Sequence, residues 1–217
     1  MNPLPADFFT RFGLYAERTF LSREACARLR DEMRAATAAP ATVADEQGET
    51  VVETSRRTKQ AQIPATAAAP IKTGLLEALP RLAQHFGVRL AGMQAPQFLL
   101  YREGDFFRPH HDDSEETEAP DFVTQRSVSA VVFLNGDGAG EPDGYSGGSL
   151  TFFGLMDDNV SGESVGLPLA GETGLLIAFP AHVVHSVSPV TAGERYTVVS
   201  WFIEDPAPTS PTRSGPA

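Results

Sequence analysis

Apolar residues recur at helical spacing in two stretches of the N-terminal half of the chain. In the first stretch, Cys26, Leu29 and Met33 lie three or four positions apart and would share one face of a helix. Ser22 precedes them and can cap the helix, because its hydroxyl can accept a hydrogen bond from an amide of the first turn. The spacing therefore predicts a helix that begins after Ser22 and ends before Pro40.

The second apolar stretch predicts another helix, which carries Leu75, Leu76, Leu79, Leu82 and Phe86. Gly87 is expected to end this helix, since glycine readily adopts the left-handed conformation found at helix C-termini. Pro80 lies within the stretch and lacks an amide hydrogen, which predicts a kink or two short helices. Residues from about 15 to 90 are thus expected to supply helical support to the domain.

From about residue 95 the pattern changes to short segments that are rich in β-branched and aromatic residues and separated by Gly, Pro, Asn and Asp. The segments are 96–101, 128–134, 149–153, 175–179 and 196–203. Several short strands after two helices indicate a mainly β fold with supporting N-terminal helices, either a sandwich or a jelly roll. The β core is expected over about 95–204.

Composition bounds the domain organisation and the partners. The chain of 217 residues is 41% hydrophobic, which suffices for a single domain, expected over 1–205. The tail at 206–217 is rich in Pro, Ser and Thr and is expected to be disordered. The formal net charge of -11 argues against a nucleic-acid partner, because such binding needs a basic surface.

Cysteine usage and the N-terminal segment bear on the compartment. Cys26 is the only cysteine, which excludes an intrachain disulfide. The first residues lack a basic start followed by an apolar run, so no secretory signal is expected. No stretch approaches the roughly 18 apolar residues that a membrane-spanning helix needs, so no membrane partner is expected. A cytoplasmic protein is the resulting prediction, and the sequence carries no signal of oligomeric state.

Candidate metal ligands cluster at two places in the β half. The first cluster is His110-His111-Asp112-Asp113, and the second contains His182 and His185. Residues two positions apart on an extended segment point the same way, so His110 and Asp112 could reach one ion, and a distant histidine could complete the set. Such a set leaves positions open, as iron(II) needs for a cosubstrate and oxygen. A hydrolytic zinc site, or a cupin-like barrel that binds metal without turnover, would use the same ligands.

A basic residue near the C-terminus favours one of these alternatives. Arg195 follows His185 by ten residues, and Thr197 would share its face on a strand. A planar guanidinium beside a hydroxyl suits the remote end of a dicarboxylate. Because zinc hydrolysis has no use for this pair, the pattern favours a 2-oxoglutarate site.

The segment 101–112 resembles the first metal-binding motif of the prolyl 4-hydroxylase-like branch of the 2-oxoglutarate/Fe(II) oxygenases, in which a tyrosine and a glycine precede Pro-His-x-Asp. Further matches occur in the family's order at Gly147-Gly148, Phe179-Pro180, His185, Pro189-Val190, Gly193 and Arg195. The resemblance implies a double-stranded β-helix (a cupin-like jelly roll) that uses Fe(II), 2-oxoglutarate and O2. It adds ascorbate as a candidate reductant.

The resemblance also assigns roles to residues. It makes His110, Asp112 and His185 the iron ligands, because Pro109 and the tyrosine spacing favour His110 and Asp112 over their neighbours His111 and Asp113, and the spacing to Arg195 favours His185 over His182. For the cosubstrate, the residues it implies are Arg195, which would pair with the remote carboxylate, Thr197, which would assist, and Tyr101, whose hydroxyl would reach the same group. A core aromatic is the alternative for Tyr101.

The substrate is the least constrained prediction. Relatives suggested by the resemblance hydroxylate prolyl residues in peptides or proteins, which is the first expectation, with a small molecule as the alternative. Demethylation of nucleic acid is disfavoured, because Trp201 replaces the second arginine of that branch. The acidic segment 112–121 is expected to be a solvated loop, with a lid that attracts a basic peptide as the alternative.

Overall fold

A computed structural model describes residues 6–45, 48–50, 54–113, 121–138, 140, 141, 143–155 and 165–205. Its helices are α1 (Ala6–Arg11), α2 (Arg23–Ala35), α3 (Ala65–Phe86) and α4 (Asp121–Thr124). Its strands are β1 (Tyr15–Glu17), β2 (Ala38–Pro40), β3 (Val43–Asp45), β4 (Gly48–Thr50), β5 (Arg56–Arg57), β6 (Lys59–Ala61), β7 (Leu90–Met93), β8 (Gln97–Tyr101), β9 (Phe106–His110), β10 (Arg126–Phe133), β11 (Ser146–Gly147), β12 (Leu150–Phe152), β13 (Leu167–Leu169), β14 (Leu176–Pro180), β15 (His185–Val187), β16 (Val190–Ala192) and β17 (Arg195–Glu204).

Two antiparallel sheets form the body of the domain. The larger has the order β1-β14-β10-β17-β8-β6-β2, with β7 also paired to β17, and the smaller has the order β13-β12-β15-β9-β5. The pairs β11-β16 and β3-β4 complete the pairing. Neighbours in the large sheet are distant in sequence, as β8 and β17 show, so the fold depends on long-range pairing. The predicted mainly β architecture with supporting helices is confirmed.

Alternation along the large sheet creates two apolar layers. Phe98 and Leu100 of β8 pack with α2 and α3, in a layer that includes Leu29 of α2 and Leu75 of α3. The intervening Leu99 lies in the other layer, with residues of β14 from the same sheet and of β12 and β15 from the smaller sheet. Because side chains alternate along a strand, one face of β8, β10 and β17 supports the helices and the other faces the space between the sheets.

The helices follow the apolar pattern closely. Ser22 caps α2 as predicted, since its Oγ accepts a hydrogen bond of 3.2 Å from the amide of Ala25. Gly87 ends α3 in the left-handed conformation, also as predicted. Of the two alternatives predicted for Pro80, the pair of short helices is wrong, because α3 runs unbroken through this residue, and the kink stays a prediction. Buried residues on either side of Pro80 keep the helix packed against the sheet despite the missing amide hydrogen.

The predicted strands of the β half are all present, with small shifts of their ends. The strands before α3 were not predicted, because each has only two or three residues, which is too few to give a periodic signal. Within the described ranges, no helix is long and apolar enough to cross a membrane. The predicted disordered tail at 206–217 lies outside the described residues, as does most of the acidic segment 112–121.

Candidate functional site

Three predicted ligands meet between the two sheets. His110 is the last residue of β9, His185 is the first of β15, and the two are paired in the ladder. Asp112 follows β9 and is fixed by its amide, which donates a hydrogen bond of 2.9 Å to the carbonyl of Ala181. One ligand atom from each of the three side chains lies within 4.8 Å of the others. The folded chain therefore converges the histidines and the carboxylate on one point.

Backbone carbonyls fix both imidazole rings. Nδ1 of His110 lies 2.8 Å from the carbonyl oxygen of Arg108, and Nδ1 of His185 lies 2.9 Å from that of Val183. A carbonyl oxygen can only accept, so each Nδ1 carries the hydrogen, and each Nε2 presents its lone pair. These Nε2 atoms each lie 3.6 Å from a carboxylate oxygen of Asp112. Both rings are thus held in the tautomer that a metal ligand requires.

Two further residues hold Asp112 in place. The hydroxyl of Ser129 donates a hydrogen bond of 2.6 Å to Oδ2 of Asp112. Arg126 donates from Nη1 to the Asp112 carbonyl at 3.1 Å, and its guanidinium lies 3.7 Å from the centroid of the Trp201 ring. The carboxylate therefore has a fixed orientation, which limits the reorganisation that metal binding would need.

The charges of the three side chains suit a divalent cation. Burial alone would raise the pKa of Asp112, but the nearby His185 and His110 and the Ser129 hydroxyl bring that pKa well below its usual value. Burial lowers the pKa of His185 to about 4, although the Asp112 carboxylate opposes this. Near neutral pH the site thus combines an ionised carboxylate with a neutral imidazole, the protonation states that a metal needs.

Aromatic rings pack against His110 and His185. Phe107 stacks on His110 with the ring centroids 3.5 Å apart, and Phe179 meets His185 edge-on at 4.7 Å. The Arg56 guanidinium also lies over Phe107, 4.7 Å from the ring centroid. This packing limits water around the cluster and restricts the orientation of both rings.

The predicted cosubstrate residues gather on the inner face of the large sheet. Arg195 and Thr197 share a face of β17 as expected, with Nη1 of Arg195 3.3 Å from the Thr197 hydroxyl oxygen. Tyr101 is the ladder partner of Arg195, and its ring centroid is 5.0 Å from the guanidinium carbon. Arg195 is only 2% exposed, and no carboxylate among the described residues pairs with it. A buried guanidinium without a counter-ion is a site for an anion.

The other two histidines of the metal-binding motifs are not part of the ligand cluster. His111 and His182 are exposed, and Nδ1 of His111 lies 2.6 Å from the carbonyl oxygen of Asp113. Sequence reasoning missed Ser129 as the partner of Asp112. The sequence did contain a signal for this role, because Ser129 is a polar residue in an otherwise apolar part of β10, where a buried hydroxyl needs a hydrogen-bond partner.

Comparisons with known proteins agree with this geometry. Residues 96–203, about half of the chain, match the model of the 2OG-Fe(II) oxygenase superfamily. A PKHD-type hydroxylase of Burkholderia thailandensis is 32% identical over 150 residues, which cover 68% of this chain and 60% of that protein. The chain thus spans about 60% of the length of this relative.

Solved structures share the fold over nearly the whole chain. A prolyl-4-hydroxylase of Pseudomonas putida superposes with a TM-score of 0.68 at 23% identity, covering 92% of this chain and 97% of that one. A prolyl hydroxylase of Trichoplax adhaerens, solved with a hypoxia inducible factor peptide fragment, gives 0.67 at 16% identity over 92% and 87%. The predicted double-stranded β-helix is confirmed. The chain belongs to the 2OG-Fe(II) oxygenase superfamily.

Proposed function

We propose that the protein is an Fe(II)- and 2-oxoglutarate-dependent dioxygenase that hydroxylates a C–H bond, with a prolyl residue of a peptide or protein as its substrate. The observation that carries this proposal is Arg195, which is buried without a counter-ion among the described residues. It lies on the same inner face of the large sheet as Ser129, whose hydroxyl holds Asp112. A metal-binding barrel without turnover, or a zinc hydrolase, would have no anionic ligand to pair with this buried charge.

Fe(II) would be held by His110, Asp112 and His185. Their ligand atoms lie within 4.8 Å of one another, and two imidazole rings with one carboxylate match a site that leaves positions open for a cosubstrate and oxygen. Bound Fe(II) and 2-oxoglutarate would supply the oxidising chemistry, in which O2 gives one atom to the substrate C–H bond and one to succinate, with release of CO2.

The remote carboxylate of 2-oxoglutarate would bind Arg195, assisted by Thr197 and Tyr101. The guanidinium fork offers paired donors to a carboxylate, and burial makes the pairing stronger than it would be in water. This end of the ligand changes little during the reaction, so its role is to orient the reacting end towards the metal.

The chain itself contributes position and exclusion of water. Ser129 and the carbonyls of Arg108 and Val183 keep the ligands oriented. The rings of Phe107 and Phe179 shield them from solvent. A shielded centre suits the reaction, since water would otherwise compete for open positions and quench reactive states.

The names of the relatives support a prolyl substrate, since two similar folds are prolyl hydroxylases and one was solved with a peptide. A small molecule remains the alternative within the same chemistry. The net charge and Trp201 continue to argue against nucleic acid. A cytoplasmic location and the use of ascorbate stay predictions.

Succinate formation tests the activity. Purified protein with Fe(II), O2 and 2-oxoglutarate should form succinate, formation should rise with a substrate present, and Asp112→Ala should abolish it. For the substrate, mass spectrometry of lysate peptides after incubation should show a +16 change on proline. Succinate formation that continues unchanged without iron would contradict the proposed chemistry. A +16 change confined to small metabolites would replace the peptide with the alternative substrate.

A further inference from the structure

Tyr145 places an unpaired hydroxyl in the interior beside Arg195. The residue precedes β11 and is 2% exposed. Its hydroxyl oxygen is buried and has no hydrogen-bond partner among the described residues. A buried hydroxyl without a partner destabilises the folded protein, so such a group is uncommon unless something binds to it.

Two glycines locate this hydroxyl. A methyl group built on Gly148 would lie 2.9 Å from Cδ of Arg195 and 3.4 Å from Cε2 of Tyr145, the ring carbon next but one to the hydroxyl. A methyl group built on Gly171 would collide with the Tyr145 hydroxyl oxygen and lie 2.6 Å from Cδ1 of Phe133. The Tyr145 ring thus runs alongside the stem of Arg195, and its hydroxyl lies at the edge of Phe133.

The guanidinium of Arg195 lies at the same ring. Its central carbon is 5.1 Å from the centroid of Phe133, and its Nε is buried and also unpaired. Two buried donors without acceptors therefore lie close together, one of them charged. Burial raises the pKa of Tyr145, and the adjacent Arg195 guanidinium and the Gly171 backbone oppose this without reversing it. Tyr145 keeps its proton at neutral pH and can donate it in a hydrogen bond.

We propose that Tyr145 is a binding residue for the remote carboxylate of the cosubstrate, donating its hydroxyl hydrogen to one oxygen while Arg195 pairs with the carboxylate. This inference rests on the proposed function and adds a residue to it. It also gives Tyr101 and Tyr145 different roles: the face of the Tyr101 ring lies towards the guanidinium, whereas Tyr145 supplies an unpaired donor. Tyr145 and Arg195 together would favour a dicarboxylic oxo acid over a monocarboxylic one.

Calorimetry on the Fe(II)-loaded protein under anaerobic conditions tests this role. The titrants are 2-oxoglutarate and 2-oxopentanoate, which has the same chain length and lacks the remote carboxylate. Tyr145→Phe should weaken 2-oxoglutarate binding by about 10- to 100-fold, the usual loss for a hydrogen bond to a charged group. Binding of 2-oxopentanoate should not change. Tyr196→Phe is the matched control, since its hydroxyl bonds Glu194 and Arg34 on the helical side, and it should leave both affinities unchanged.

Stability provides a second measurement. The melting temperature of metal-free Tyr145→Phe should equal or exceed that of the wild type, because the variant removes an unpaired atom and leaves the ring in place. The increase in melting temperature caused by 2-oxoglutarate on the Fe(II)-loaded protein should be smaller in the variant.

Four outcomes would overturn the inference, and they can be distinguished from one another. Unchanged 2-oxoglutarate affinity in Tyr145→Phe would show that Tyr145 does not bind the carboxylate, and it would leave the proposed function unaffected. An equal loss for both titrants, or a lower melting temperature without metal, would assign Tyr145 to packing. A wild-type protein that binds Fe(II) but does not prefer 2-oxoglutarate to 2-oxopentanoate would contradict the proposed function itself.

Discussion

The two ends of the candidate site are built in opposite ways. At the metal end the supporting polar atoms are paired: both Nδ1 atoms meet carbonyl oxygens, and Ser129 donates to Asp112. At the other end, Nε of Arg195 and the hydroxyl of Tyr145 are buried and unpaired. The candidate metal ligands are thus oriented by the protein alone. The proposed carboxylate-binding end, which contains Arg195 and Tyr145 and is called the carboxylate end below, would become satisfied only with an anion bound.

This difference predicts separate energetic roles. Changes at the metal end should cost metal affinity, because the carboxylate and both rings are already arranged for binding. Changes at the carboxylate end should cost cosubstrate affinity and leave the ligand-free protein as stable as before, because a buried charge without a counter-ion carries a desolvation cost.

The largest effect is expected when the metal end loses its charge. Asp112→Ala should reduce Fe(II) affinity by more than the roughly 100-fold that changes to supporting residues produce. Anaerobic calorimetry measures this affinity. Asp113→Ala is the control, because this neighbouring carboxylate lies against His111 and outside the ligand cluster. Equal losses in both variants would contradict the assignment.

The next effect tests the carboxylate end alone. Arg195→Met should weaken 2-oxoglutarate binding by about 2–5 kcal/mol, or roughly 30-fold to several thousandfold, because it removes the charged partner. Fe(II) affinity and the metal-free melting temperature should not fall. Arg102→Met, which changes an exposed arginine paired with Glu194, should leave 2-oxoglutarate binding as it is. A loss of stability without ligand in Arg195→Met would show that the charge has a structural role.

Acidity should weaken the metal-free protein through His185. Its folded pKa of about 4 lies below the usual 6.5, so between these values the unfolded chain binds a proton that the native chain does not. The free energy of unfolding should therefore fall as pH drops from 6.5 to 4, by up to about 1.4 kcal/mol per pH unit from this group. Denaturant unfolding at several pH values should show a shallower slope in His185→Gln, whereas exposed His182→Gln should keep the wild-type slope.

The smallest effect concerns the support of Asp112. Ser129→Ala should lower Fe(II) affinity by about 10-fold, because the carboxylate loses a hydrogen bond that orients it. The matched control is Ser127→Ala on the same strand, whose hydroxyl bonds exposed Glu204. If both variants bind Fe(II) equally well, preorganisation at the metal end is weaker than the geometry indicates.

The sequence was most informative where strand alternation and spacing act together. It placed Arg195 and Thr197 on one face and selected His110, Asp112 and His185 as the cluster that the fold brings together. It could not identify Tyr145, because that residue lies in a loop and its neighbourhood depends on contacts with Gly148 and Gly171 that no local pattern encodes.

Local rules also failed where tertiary packing prevails. Pro80 predicted a kink or two short helices, yet burial of the flanking residues keeps α3 one continuous helix. The short strands β5 and β6 were missed because their pairing partners β9 and β8 lie far along the chain, and two or three polar residues carry no periodic signal.

The most direct test is visible spectroscopy of the anaerobic protein with Fe(II) and 2-oxoglutarate. A site that places both near each other should give a weak visible charge-transfer band, which His185→Ala should abolish. Arg195→Met should require a higher 2-oxoglutarate concentration for the same band. A well-folded, iron-loaded wild-type protein that shows no band at saturating 2-oxoglutarate would contradict the account.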